Sequence, residues 1–457
     1  MQLQNKLKIT MFLQFFVWGA WLTTIANYWF GTKQWDGTEF GLVFGTMGLA
    51  SLFMPTLTGI IADRWMNAEK LYTILHFLYA ATLLYLTTVD NPTTFIYVMM
   101  LAMCFYMPTI SLGNSISYNA LITEKLDVVK DFPPIRVFGT VGFIAAMWMT
   151  NLSGNKATEY QFYIAAAGSI VLALFAFTLP KCPPKKEINE NASLTETLGL
   201  EAFKLFANYK MALFFVFSMF LGGALQLTNA YGDVFLDEFK HFPKYADSFV
   251  TKYSTIIMSI SQVSETLFIL AIPFFLKKYG IKNVMLISML AWVLRFALLA
   301  FGDPSTGLWM IILSCVVYGM AFDFFNISGS LFVETNTDDK IRSSAQGLFM
   351  MMTNGFGAVL GSFTSGWLID KYFTKSFTTE QDLATFFHTE VGNSHLTSYI
   401  SNQKVEVVNG IFNQPIFFKD WTNIWLTFAA YALVIAILFA IMFKHKHDPN
   451  QISDINH

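Results

Sequence analysis

Charge is what this sequence is short of. Only 13% of its 457 residues are Asp, Glu, Lys or Arg, about half the share of an ordinary soluble domain, so a fully water-facing surface is excluded. Cysteine is scarce too. Cys104 and Cys315 fall in apolar windows and Cys182 in a Lys- and Pro-rich loop, which suggests no disulfide framework. There is no basic excess: 29 Lys and Arg against 31 Asp and Glu give a net charge of −2. Without a basic face to displace counterions from phosphates, nucleic acid is excluded as a partner. The seven histidines are scattered, with no HExxH, no paired His/Cys spacing and no serine in a nucleophile-elbow context. Nothing therefore points to an enzyme, a metal site or a cofactor. A GxxxxGK[ST] loop is also absent, so the chain carries no ATP motor of its own. The amino-terminal apolar run lacks a small-residue cleavage site and reads as a retained first helix.

What is abundant is apolar. Hydrophobic residues make up 54% of the chain and the mean hydropathy is +0.47. Apolar windows long enough to span a bilayer as helices recur near residues 9–30, 39–62, 70–88, 94–121, 133–152 and 160–180. They resume near 209–235, 253–276, 283–301, 308–333, 342–370 and 422–443. The expectation is an all-α membrane protein of twelve transmembrane helices in two six-helix bundles. Residues 1–180 form the first bundle, 181–208 a cytoplasmic linker and 209–457 the second, with a periplasmic insertion at about 373–420. Basic residues collect at alternate loops: Lys6 and Lys8; Arg64 and Lys70; Lys125 and Lys130; Lys181, Lys185 and Lys186; Lys277, Lys278 and Lys282; Lys340 and Arg342; Lys444 and Lys446. The positive-inside rule then puts both termini in the cytoplasm. The halves also rhyme weakly, Ile135-Arg136 with Ile341-Arg342 and Asn114–Ser117 with Asn326–Ser328, as transporter repeats do.

Charged residues inside the predicted spans are few: Arg136, Glu265, Arg295 and Asp323, with His76 as a titratable extra. Asp323 sits in YGMAFDFFNISG, from Tyr318 to Gly329, within an uncharged stretch. A lone charge at membrane depth is costly, and such a residue is a functional candidate by default. Residues three or four apart share a helical face, and four polar stripes emerge on that criterion. They are Arg136, Thr140 and Phe143; Gln226 and Asn229; Gln262 and Glu265; and Tyr318 and Phe322. Any single amide here could serve only as interhelical glue. Together the stripes combine amides, a hydroxyl, carboxylate and aromatic faces, which suits a flat, hydrogen-bonding solute such as a nucleoside or a sugar. Glu265 and Asp323 are the proton-coupling candidates, because desolvation in an apolar helix disfavours the charged form of a carboxyl. Asp323 lies about 100° around the helix from Phe322, which favours coupling beside the pocket over direct ligation. Arg295 reads as structural, and His76 as a satisfied buried histidine. Gln14, Trp18 and Trp21 form a further stripe in the first helix that could extend the site.

Gly59-Ile-Ile-Ala-Asp63-Arg64 resembles the G-x-x-x-D-R loop motif of the major facilitator superfamily. Its small residue allows close helix approach and its charged pair can latch one conformation, so Asp63 and Arg64 are gating candidates. Longer segments resemble the bacterial nucleoside permeases, the nucleoside/proton symporter family of that superfamily. These are FLQFFVWGAWLTT from Phe12, DFPPIRVFGTVGF from Asp131, QLTNAYG from Gln226, IIMSISQVSETLFILAIPFFL from Ile256, YGMAFDFFNISGSLFVE from Tyr318 and SAQGLFMMMTNGFG from Ser344. The resemblance spans nearly the whole chain. It implies a monomeric, proton-driven nucleoside importer of the bacterial inner membrane that works by alternating access. It places the family's substrate pattern on the four stripes and makes Asp323 essential for coupled transport. The insertion at about 373–420 departs from the short loop of the family, and would decorate the outer face, restrict access or bind a partner. A proton-coupled sugar or polyol carrier and a non-transporting nutrient receptor are the alternatives.

Overall fold

A computed structural model describes residues 2–126, 128–184, 200–338, 341–403 and 405–445. The expected linker therefore lies mostly outside the described residues, as do Lys185, Lys186, Lys340, Lys446 and the side chain of Arg342. The first half holds α1 (Leu3–Gly19), α2 (Gly37–Arg64), α3 (Ala68–Leu86), α4 (Pro92–Thr123), α5 (Val128–Leu152) and α6 (Tyr160–Ala176). The second holds α7 (Tyr209–Glu238), α8 (Ser254–Phe301), α9 (Leu308–Asn336), α10 (Arg342–Met350) and α11 (Ala358–Tyr372). An insertion follows, with β1 (Thr374–Thr379), α12 (Glu380–Phe386), α13 (Ser394–Asn402), β2 (Val407–Val408) and β3 (Ile411–Lys419), and α14 (Trp421–Met442) is the last helix of the described residues. Among the described residues seven helices are long and apolar enough to cross a membrane, and the protein is all-helical apart from the small sheet.

Helix starts follow local chemistry. Asn91 caps α4 by accepting from Thr94 N at 3.0 Å, with Pro92 in the first turn, where its missing N–H costs nothing. Asn208 accepts from Lys210 N and Met211 N to start α7. The two spans expected at 253–276 and 283–301 are two helices that meet without a loop at Gly280, whose φ is +74°, and are labelled together as α8. The chain doubles back there. Arg295 Nη1 lies 3.4 Å from Ser261 Oγ, whereas a straight helix would separate them by roughly 50 Å. Two expected helices also differ in detail. The first begins at Leu3 and gives way after Gly19 to turns and a π-helical stretch at Asn27–Lys33; the segment from 342 is broken by a π-helical stretch at Met351–Gly357. Such stretches often mark functional regions, and the second lines the cavity described below.

The halves meet along α2 and α11, where backbones come so close that a Cβ at Gly41 would collide with Ser362 O and one at Gly366 would sit 2.5 Å from Gly37 O. Glycine permits that approach. One end of the molecule is sealed by contacts between the halves. Asn27 donates to Asp233, Lys156 pairs with Asp237 at 2.6 Å, and Asp370 accepts from Gly37 N at 3.0 Å and Thr38 Oγ1 at 2.6 Å. The other end carries the beginnings and ends of both halves, as Lys6 to Thr178 O at 2.7 Å and Lys210 to His445 Nδ1 at 2.8 Å attest.

The insertion has its own core at the sealed end. Its sheet has the order β1-β3-β2, all antiparallel, and β3 turns Phe412, Ile416 and Phe418 inward. These pack with Phe387 and Tyr399 against Phe242 and His241, with ring centroids 5.0 Å apart for Phe242–Phe387 and 4.5 Å for His241–Tyr399. At its exit Asp420 pairs with Lys375 at 2.8 Å. Partial burial opposes charge on that carboxyl, but Lys375 and the Asn423 donors outweigh it and hold the group below the usual carboxylate range.

Candidate functional site

Between the halves lies a cavity of about 750 Å³. The structure brings all nine stripe residues to its wall: Arg136, Thr140 and Phe143 from α5, Gln226 and Asn229 from α7, Gln262 and Glu265 from α8, and Tyr318 and Phe322 from α9. Each stripe lines the cavity while other faces of its helix carry exposed apolar residues, such as Val137 and Val141 on α5 and Leu267 and Leu270 on α8, which suit lipid. The cavity continues past Ser51 and Pro55 of α2, Asn114 of α4 and Met350 and Asn354 to the end opposite the sealed one. Met350 there is 53% exposed, so this is the open end.

The wall is pre-ordered in part. Arg136 stacks its guanidinium 4.1 Å from the centroid of Phe15. Tyr318 and Phe322 are parallel, with centroids 5.8 Å apart and planes 6° from coincidence. Trp18 meets Phe143 edge-on at 6.2 Å. Glu265 and Arg136 both line the cavity, from opposite halves, yet no ion pair joins them. Three polar atoms of the wall are buried without a partner: Gln226 Oε1, Gln262 Oε1 and Trp18 Nε1. A buried unmade hydrogen bond costs about 1–3 kcal/mol, so these atoms gain from any side-chain turn that brings them to a ligand in the cavity or to a water behind its wall.

Asp323 does not line the cavity. It is 4% exposed, and its Oδ2 has no hydrogen-bond partner. Asp63 and Arg64 are both exposed at the end of α2, and neither has a hydrogen-bond or ion-pair partner among the described residues. Arg295 is fully buried, donating to Ser314 O at 2.6 Å and stacking 4.6 Å over Tyr318; it braces an aromatic of the cavity wall. Of the α1 stripe only Trp18 reaches the cavity. Gln14 joins His76 in a separate buried network, and Trp21 donates to Tyr79 at 2.8 Å. Among the described residues no group of three or more His, Cys, Asp or Glu could hold a metal ion.

Sequence reasoning missed Asp233, an acid inside α7 that is 1% exposed. The signal was available, because Asp233 lies four residues after Asn229 and seven after Gln226, on their face of the helix. Lys156 and Asp237 were missed as well, each lying near a helix end where charge reads as interfacial.

A helical protein in two halves around a central polar cavity, sealed at one end and open at the other, is a solute carrier in form. A sequence model described as nucleoside H+ symporter matches residues 1–448, and the chain belongs to that family. It is 48% identical to the nucleoside permease NupG of Escherichia coli (strain K12) over 448 residues, 98% of this chain and 97% of that protein. It is 46% identical to the xanthosine permease of the same organism over 453 residues, 99% of this chain and 98% of that one. These relatives are permeases, not enzymes. The crystal structure of the nucleoside transporter NupG (D323A mutant) matches with a TM-score of 0.85 and 47% identity, covering 97% of this chain and all of that chain. An inward-facing, unoccupied bacterial homologue of the human lysosomal transporter Spinster matches with a TM-score of 0.65 at 12% identity, over 99% of this chain and 97% of that one. That likeness shows the fold alone, a major-facilitator-like transporter fold.

Proposed function

We propose that this protein imports nucleosides together with protons, by alternating access of two six-helix halves, residues 1–180 and 209–457, joined by 181–208. In this reading the polypeptide crosses the bacterial inner membrane twelve times as a monomer. The open end, with Lys6, Arg64, Lys125, Lys181 and Lys282, faces the cytoplasm with both termini, in keeping with the positive-inside rule. The cavity is then open to the cytoplasm and the insertion at about 373–420 lies outside.

The observation that carries the proposal is the cavity wall itself, with two unpartnered amide oxygens and an unpartnered indole N–H beside a parallel aromatic pair. A nucleoside matches each part: ribose hydroxyls and exocyclic amines donate, ring nitrogens and carbonyls accept, and the base stacks. Gln226, Asn229, Gln262 and Glu265 hold the ribose and base edge, Phe143, Tyr318 and Phe322 face the base, and Arg136 and Thr140 complete the first-half wall. Asp323 and Glu265 carry the proton. Asp323 is placed to bind it behind the substrate, through its interaction with Glu265, instead of touching the nucleoside. Asp63 and Arg64 form the cytoplasmic latch, released in the inward-open state. Coupling follows if Glu265 and Asp323 must both be satisfied before the halves rock.

Labelled uridine and adenosine uptake into proteoliposomes, with and without an imposed proton gradient, tests this. Accumulation that follows the gradient is the expected result. Uptake indifferent to the gradient would remove the symport claim, and binding without uptake would make the protein a receptor.

A further inference from the structure

A second, much smaller void lies between the large cavity and the sealed end, at the meeting of α5, α7, α8 and α9. Its volume is about 10 Å³, close to the least that admits one water. Its wall holds several polar atoms with no well-formed hydrogen bond: Thr23 Oγ1, Thr228 Oγ1, Gln262 Oε1, Arg295 Nε and Asp233 Oδ1, the carboxyl beside which the Thr255 hydroxyl also lies. Asp233 is 1% exposed and Arg295 0%, so bulk solvent does not satisfy them in this state. A water in contact with two to four such atoms is the ordinary remedy for buried polar groups. Asn229, Gln262 and Tyr318 line both voids, which makes the small one an outward continuation of the large one.

Asp233 also belongs to the seal. Asn27, from the other half, donates to its second oxygen. The charged and titratable groups around it are Lys156 and Asp237 on the side of the seal, and Arg295 and Tyr318 across the small void. Lys156 is already engaged by Asp237 at 2.6 Å, by Thr251 O at 2.9 Å and by Ser254 Oγ at 2.9 Å. No ion pair therefore fixes Asp233 as a permanent carboxylate, and opening of the seal removes Asn27 and exposes it to the outside.

We propose that Asp233 is a second proton-binding carboxyl of the transport cycle, loaded from the outside when the halves part and joined to the nucleoside site through one water in the small void. This rests on the proton-coupled reading above. In the outward-open state the Asp233 carboxylate takes one proton from the outer solution and becomes a neutral acid. On closure Asp233 gives its proton to the water that Thr228 and Gln262 hold, that water gives one of its own protons to the Glu265 carboxylate, which becomes a neutral acid, and Asp233 regains the Asn27 hydrogen bond as a carboxylate.

The test uses the full chain reconstituted in proteoliposomes, with two readouts: uridine accumulation driven by a proton gradient, and exchange of external for internal uridine without one. Wild-type protein must accumulate uridine under the gradient; its failure to do so would overturn the symport reading and this inference together. With a coupled wild type, Asp233→Asn is expected to lower gradient-driven accumulation about tenfold or more, the scale of a typical coupling free energy, while exchange stays within about twofold of wild type. Thr228→Val keeps the shape of its side chain and removes the hydroxyl. It is expected to slow accumulation and spare exchange in the same way, which keeps the idea testable if Asp233→Asn does not fold. Unchanged accumulation in both variants would overturn the role of Asp233 alone. Equal loss of exchange and accumulation would overturn it too, by making Asp233 a part of the seal and nothing more.

Discussion

In the first half, Gln14, Tyr72, His76, Thr109 and Ser169 form a buried cluster in which every side-chain polar atom has a partner. Gln14 Nε2 donates to Thr109 Oγ1 at 2.8 Å, and Gln14 Oε1 accepts from Tyr72 Oη at 2.6 Å and lies 3.0 Å from His76 Nε2. His76 Nδ1 is 2.9 Å from Ser169 Oγ. The central cavity uses a similar vocabulary of amides, aromatics and ionisable groups, yet Gln226 Oε1, Gln262 Oε1 and Trp18 Nε1 have no partner. The contrast separates two uses of polarity at membrane depth. A closed network ties helices together; an incomplete one is stable only in company with water or a ligand. Residue type does not distinguish them, and completeness of pairing does.

Breaking the comparison at its strongest point means removing charge from the cavity side. Asp323→Asn is expected to abolish gradient-driven nucleoside accumulation while leaving the dissociation constant close to wild type, because Asp323 lies outside the wall. Full accumulation by that variant in a proteoliposome assay would sink its coupling role. Glu265→Gln should act on binding itself. Loss of a charge-assisted hydrogen bond, about 1.5–3 kcal/mol, weakens binding by roughly 10–100-fold, and an unchanged calorimetric dissociation constant would reassign Glu265 to structure. A smaller effect is expected at the neutral amides. Gln226→Ala should weaken binding by about fivefold, near 1 kcal/mol, with little change in thermal stability. Gln14→Ala should do the reverse: it leaves Tyr72 and Thr109 short of a partner, lowers stability by about 1–3 kcal/mol, and leaves nucleoside affinity unaltered.

The sequence made the cavity legible for a physical reason. Polar residues are costly in a membrane span, so the few that recur at helical spacing, such as Gln262 with Glu265, share a face that must point at something. The same reasoning could not tell Gln14 from Gln226. Both sit in apolar helices beside aromatics, and only packing decides that Tyr72 and His76 close around the first. Spacing also failed on Trp21, because α1 ends at Gly19 and the helical period does not carry across the break. Asp233 escaped notice although it shares a face with Asn229, since an acid near a helix end reads as interfacial. The insertion was visible as extra length but not as structure. Its β1 and β3 pair from Thr374 to Lys419 around two short helices, and non-local pairing of that kind leaves little local pattern.

The most direct measurement is the nucleoside dissociation constant of Gln226→Ala set beside that of Gln14→Ala, by calorimetry on purified protein. The account predicts a loss of about fivefold for the first and none for the second. Equal affinities in the two variants, or a larger loss from Gln14→Ala, would contradict the claim that unpaired polar atoms mark the nucleoside site.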